Sequence, residues 1–179
     1  MFAGIGRGKF LISHAHMQLI SPEKIFRGSG AWLNAVPEIK KFSKRPLLLG
    51  RSLATNDIRQ QIYKDLLLEN FEVHISNLKY DCCLEDLKRL ENIVLKNNCD
   101  SVIAIGGGKV LDAGKLLADS HSIPVVTIPL SASTCAGWTA LSNIYSINGQ
   151  FIEDRALKSC PKILVLDYEL IKTAPKRTL

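Results

Sequence analysis

The chain has 179 residues, 46% of them hydrophobic and 22% charged, with 23 basic and 17 acidic residues and a net charge of +6. That is enough for one soluble domain with a substantial core. No apolar run approaches the ~20 residues of a membrane helix, and Phe10-Leu11-Ile12 is too short for a signal peptide. The basic residues are spread over several segments, which argues against a nucleic-acid patch and for a basic solvated surface with some bias toward anionic ligands.

Residues 1–17 hold three glycines and no clear period, and read as a flexible tail. Within them His14-x-His16 lacks acidic or sulfur partners and reads as tail rather than metal ligand. Residues 18–179 read as one α/β domain. Short extended segments surround Ser21-Pro22, and Gly28-Ser29-Gly30 precedes a helix near 30–42, with Trp32, Leu33, Val36 and Ile39 at helical spacing and Pro37 as a potential kink.

From Pro46 a repeating order sets in. Leu47 to Leu49 is a buried-type strand ending at Gly50, followed by a helix near 55–69 and an alternating strand from Phe71 to Ile75. Leu84 to Leu95 is a helix, Val102 to Ile105 a strand and 108–119 a helix. Val125 to Pro129 and Ile163 to Leu166 are further strands. Strands separated by helical patterns of this length predict βαβ units, a mainly parallel sheet and right-handed crossovers with helices on both faces. Ligands in such sheets sit outside the carboxyl ends of the strands, so Gly50, Gly106 and Pro129 are expected to line one crevice.

The run Gly106-Gly107-Gly108-Lys109 falls between a strand and a helix. Glycines there allow close backbone approach, and the helix start offers free N–H groups and the positive end of its dipole. Lys109 adds a full charge. The combination suits a phosphate or pyrophosphate, although a glycine turn in an α/β protein also serves simply as a connection. It matches neither Gly-x-x-x-x-Gly-Lys-Ser/Thr nor Gly-x-Gly-x-x-Gly, because Val110 follows Lys109 and Leu111 stands where a third glycine belongs. After the next strand, residues 128–145 are dense in small and hydroxyl side chains. Those hydroxyls suit ribose or phosphate oxygens, or satisfy the loop's own backbone. The five cysteines, Cys82, Cys83, Cys99, Cys135 and Cys160, are odd in number and lack a Cys-x-x-Cys, which fits free thiols in a reducing cytoplasm.

Taken together, Gly106-Gly107-Gly108-Lys109-x-x-Asp112, Pro129-x-x-Ala132-Ser133-Thr134 and Ala140-Leu141-Ser142-x-Ile144-Tyr145 resemble the glycerol dehydrogenase group of the iron-containing alcohol dehydrogenase superfamily, within the dehydroquinate synthase-like fold. Gly149-x-Phe151 and Val165-Leu166-Asp167 through Ala174-Pro175-x-Arg177 extend the likeness. The resemblance implies a Rossmann-like N-terminal domain that binds NAD or NADP, and a helical C-terminal domain that holds zinc or iron. By that resemblance Gly106, Gly107, Gly108 and Lys109 contact the pyrophosphate and a neighbouring ribose, and Asp112 supports the helix end. Ser133 and Thr134 meet the diphosphate side, and Thr139, Leu141 and Tyr145 lie near the nicotinamide and its ribose.

Three departures qualify what the resemblance implies. Arg51 stands where the group has an aspartate, which would favour a 2′-phosphate and a shift toward NADP, or would simply be solvated. Cys135 stands where the group has a substrate-contacting aspartate, and Leu130 replaces a threonine, so glycerol itself is not implied; a nucleophilic Cys135 lacks a neighbouring histidine. The aspartate and two histidines of the family metal site have no counterpart before Leu179, so no catalytic or metal residue is assigned and the helical domain is expected to be absent. The expected activity is oxidation of a small alcohol or polyol, or its reverse. The alternatives are a dinucleotide-binding module without turnover, and a glycerol-1-phosphate dehydrogenase or dehydroquinate synthase-like enzyme. A cofactor domain alone would expose apolar surface and self-associate, making a homo-oligomer an expected form.

Overall fold

The computed structural model describes residues 21–173. The expected tail with His14 and His16, and the terminal Ala174-Pro175-x-Arg177, lie outside the described residues. The main element is a six-stranded, all-parallel sheet built from β1 (Lys24–Gly28), β2 (Pro46–Gly50), β3 (His74–Asn77), β4 (Ser101–Gly106), β5 (Val125–Pro129) and β8 (Ile163–Asp167), in the spatial order β1-β8-β5-β4-β2-β3. Among the described residues five α-helices accompany it: α1 (Ala31–Ile39), α2 (Asn56–Leu68), α3 (Leu84–Lys96), α4 (Gly108–His121) and the short α5 (Tyr168–Lys172). A separate antiparallel hairpin joins β6 (Leu141–Tyr145) to β7 (Phe151–Ala156). Among the described residues no helix is long and apolar enough to cross a membrane.

Alternation along the buried strands sorts the core into two layers. Leu48, Ile103, Ile105, Val126 and Ile128 face α1 and α2. Leu47, Leu49, Val102, Ala104 and Val125 face α3 and α4. Helices therefore cover both faces, as an all-parallel sheet requires. The second layer is unusually tight at one point. A β-carbon on Gly114 of α4 would collide with the β-carbon of Ala104 in β4, so glycine lets the helix lie close on the strand.

Two expected elements differ. Strand β3 starts at His74 rather than Phe71. Phe71 is buried because it closes the end of α2, where Asn70 takes a left-handed conformation (φ 62°) and the Phe71 N–H donates to Leu66 O at 3.1 Å. Helix α1 ends at Ile39, and Leu33, at 61% exposure, is not on its buried face. Pro37 sits inside α1, and the carbonyl it leaves without an N–H belongs to Leu33, an exposed residue. The Asp167 carboxylate fastens both ends of the assembly, accepting the Trp32 N–H of α1 and the Glu169 N–H of α5, each at 2.9 Å.

Gly114→Ala is expected to cost about 2 kcal/mol through overpacking against Ala104. Urea denaturation with an unchanged m-value and a lowered midpoint would show it; an unchanged midpoint would show that the helix shifts outward without cost.

Candidate functional site

The strand order reverses between β2 and β4. From β2 the chain crosses outward to β3, whereas from β4 it crosses the other way to β5. Their carboxyl ends therefore diverge into a crevice, the usual ligand position in an open parallel sheet. There Gly106, with φ 152°, turns the chain sharply into α4. No side chain caps α4 at Gly107, so its first N–H groups face the crevice. A β-carbon at position 108 would stand 3.1 Å from the Thr134 hydroxyl oxygen, so glycine also keeps this approach open.

Two clefts meet at this helix start. One, of about 280 Å³, is lined by Arg51, Ser52, Thr55, Gly106, Gly107, Gly108, Lys109 and Leu130, among others. The other, of about 340 Å³, is lined by Gly108, Lys109, Asp112, Thr134, Cys135, Thr139, Leu141 and Tyr145, among others. Gly108 and Lys109 belong to both. Of the site residues named from the sequence, Ser133 alone lines neither cleft; its hydroxyl lies 2.9 Å from that of Ser131. Gly50 and Pro129 also stay out of the crevice: the Arg59 side chain covers Gly50, and Leu130 takes the position beyond Pro129.

The electrostatics are set by a residue that no local pattern marks. Asp81, between β3 and α3, receives Arg51 on one carboxylate oxygen and Lys109 on the other. Burial alone would raise the Asp81 carboxyl, but hydrogen bonds from Lys109 and Arg51 outweigh it and hold the group below the usual carboxylate range. Lys109 also lies over the Tyr145 ring, 4.7 Å from its centroid. Arg51 is thus an ion-paired side chain rather than a freely solvated one.

A second polar group fixes the far wall. Lys115 of α4 is 1% exposed, and its amine lies 3.2 Å from Asp112 Oδ1. The amine donates to Thr139 O at 3.2 Å and to Leu141 O, while the Ser142 hydroxyl donates to Asp112 O at 3.2 Å. This buried ion pair ties the start of β6 to the first turns of α4. Asp112 and Lys115 therefore act on the site through the segment they hold. Burial pushes the Asp112 carboxyl up and the Lys115 amine down, each opposed by its partner. The sequence offered one signal for Lys115: a lysine among Ala113, Gly114, Leu116 and Leu117 on an apolar helix.

Cys135 is exposed at the rim of the second cleft, and among the described residues no histidine lines that cleft. The other four cysteines are buried free thiols; burial, and then nearby Asp112, push Cys82 up to about 12. Among the described residues no three His, Cys, Asp or Glu side chains are grouped to hold a metal ion, so these residues do not fit a zinc or iron site. They do fit a dinucleotide, whose two nucleosides and central pyrophosphate match two clefts joined at an uncapped helix start.

The profile of the iron-containing alcohol dehydrogenase family matches residues 22–168. The chain belongs to this family. A glycerol dehydrogenase of Thermotoga maritima is 32% identical over 167 residues, covering 89% of this chain and 43% of the relative. One from Escherichia coli is 31% identical over 160 residues, with the same coverage. An uncharacterized oxidoreductase of Synechocystis is 48% identical over 99 residues, which is 55% of this chain and 26% of the relative. The glycerol dehydrogenase structure from Schizosaccharomyces pombe superposes with a TM-score of 0.79 at 26% identity, over 91% of this chain and 41% of that one. The chain thus spans less than half the length of these curated relatives, and its parallel sheet corresponds to the N-terminal domain of the family fold.

Lys115→Met would leave Asp112 buried without its counter-ion, at a cost of about 3 kcal/mol near neutral pH. The Asp112 carboxyl would then rise further above its unfolded value of about 3.9. A carboxyl raised in the folded state binds more protons folded than unfolded, so its contribution to stability is lost as pH rises through the folded pKa. The deficit of K115M relative to wild type should therefore shrink as pH falls from about 7 toward 5, read by urea denaturation at each pH. A pH-independent deficit would point to lost packing instead.

Proposed function

We propose that the chain binds NAD or NADP across the carboxyl ends of β2 and β4, as the cofactor-binding part of a dehydrogenase acting on a small alcohol or polyol. The observation that carries this reading is the pair of clefts meeting at the uncapped start of α4. Gly107, Gly108 and Lys109 take the pyrophosphate, with the Lys109 charge at its edge. The cleft beside Arg51, Ser52 and Thr55 takes the adenosine. Thr139, Leu141 and Tyr145 flank the nicotinamide and its ribose, and Thr134 borders the diphosphate from the opposite loop. Bound, the nicotinamide ring supplies the carbon that accepts or donates hydride.

The contribution of these residues is to bind, orient and keep the two halves of the cofactor at a fixed spacing. Asp112 and Lys115 maintain that spacing by holding residues 139–142 against α4. The substrate class follows from relatives named glycerol dehydrogenase. Cys135, next to Thr134, is the substrate-side residue of this chain; a thiol is a poorer acceptor for polyol hydroxyls than a carboxylate, which favours a small alcohol or polyol without naming glycerol.

The experiment is a fluorescence titration with NADH and NADPH. Binding of at least one is expected. Gly108→Val would fill the approach to the helix start, and a loss of at least tenfold in affinity, about 1.4 kcal/mol, is expected with the fold intact by circular dichroism. Binding by the wild type that G108V leaves untouched would move the pyrophosphate elsewhere, and no binding by the wild type would remove the reading.

A further inference from the structure

We infer that Asp81 decides which dinucleotide this site accepts: its carboxylate occupies Arg51 where an adenosine 2′-phosphate would bind, and so selects NAD over NADP. The inference rests on the dinucleotide reading above and adds a specificity-determining residue to it. Arg51 follows Gly50 at the end of β2 and lines the adenosine-side cleft. Alone, an arginine there would form charge-assisted bonds to a phosphate. It is not alone. Asp81 uses one oxygen for Arg51 and the other for Lys109, so the three groups together carry a single positive charge.

That carboxylate is fixed. Its side chain is 12% exposed, and its loop is tied at three places. The Leu78 N–H donates to Gly50 O at 2.8 Å. The buried Asp86 carboxylate accepts the Lys79 N–H at 2.6 Å. The Tyr145 N–H donates to Cys82 O at 2.8 Å. Asp81 can draw back from Arg51 only by breaking these ties or by keeping Lys109 as its one remaining partner.

The consequence differs between the two cofactors. The pyrophosphate common to both meets the helix start and Lys109. NADP brings a further monoester phosphate of nearly two negative charges. Asp81 reaches the adenosine-side cleft through Arg51, which lines it, and that group would gain Arg51 only by displacing the carboxylate. The free 2′-hydroxyl of NAD is neutral and can donate to a carboxylate oxygen. Opposition of like charges is a specificity device that leaves affinity for the preferred ligand largely intact.

The test is titration of the whole chain with NADH and NADPH for wild type, D81N, D81E and the double variant R51Q/D81N, each checked for folding by circular dichroism. Wild type should bind NADH at least about tenfold more tightly than NADPH. D81N should reduce that ratio to about threefold or less, chiefly by tightening NADPH. D81E should keep the preference, and R51Q/D81N should lose the NADPH gain. A wild type that binds NADPH as tightly as NADH overturns the inference whatever the variants do. So does a D81N that shifts both dinucleotides by the same factor, although the dinucleotide site then stands. A wild type that binds neither overturns the site itself.

Discussion

The contact between Gly114 and Ala104 is the constraint on which the rest of the structure depends. Removing one side chain at the crossing brings α4 down onto β4, and the start of the helix then stands directly beyond the carboxyl end of that strand. Closeness leaves little length for the connection, and Gly106 makes the turn with a backbone conformation that other residues rarely adopt. The uncapped N–H groups at Gly107 and beyond are thereby held at the reversal of strand order. A helix lying farther out would place the same groups away from the crevice.

Burial of α4 has a second effect. With α3 on one side and β6 on another, every residue from Val110 to Ala118 is buried. A lysine and an aspartate in that stretch are costly unless both are paired and hydrogen-bonded. The contacts are completed across elements: the Lys115 amine donates to Thr139 O and Leu141 O, and the Ser142 hydroxyl donates to the Asp112 carbonyl oxygen. The hairpin is therefore held to α4 by these polar contacts together with the buried Ile144 of β6, whereas its outer strand, β7, is exposed along its full length. Such a pair adds little net stability, but it admits one arrangement of the two segments, since any slippage strands a charge.

The parts of this architecture legible in the sequence are those written within single elements. Apolar runs at Leu47–Leu49 and Val125–Pro129 and the helical spacing of Leu87, Leu90 and Val94 needed only local pattern. The glycine loop marked the turn from β4 into α4, and the pattern of residues 129–145 marked a segment that lines the second cleft with it. Phe71 misled because burial at a helix end and burial in a strand look alike in sequence. Leu111 stands where the familiar motif has glycine, and Gly114, about one turn later, makes the close helix–strand contact. Asp81 and Arg59 were invisible for another reason: each acts on a residue brought near by the crossover connections, Asp81 on Arg51 and Lys109, Arg59 on Gly50. Read from the chain alone, Arg51 was either a cation for a 2′-phosphate or a solvated side chain. Its meaning changed once its counter-ion arrived from thirty residues away.

The same crossovers explain why the charges and the far wall of the site behave as one unit. The loop that carries Asp81 bonds to the end of β2 through Leu78 and to β6 through Cys82. Residues 139–142 bond to α4 through Lys115 and Asp112. Lys109, at the start of that helix, returns to Asp81 and lies over Tyr145 of β6. The circuit closes on itself, from β2 through the Asp81 loop to β6, from β6 to α4, and from α4 back to Asp81. The Asp81 carboxylate that closes it is carried by a loop anchored at both ends. Each segment of this circuit is thus fixed by two others, so the positions of Arg51, Lys109 and Tyr145 relative to one another follow from the backbone ties as well as from their own pairing.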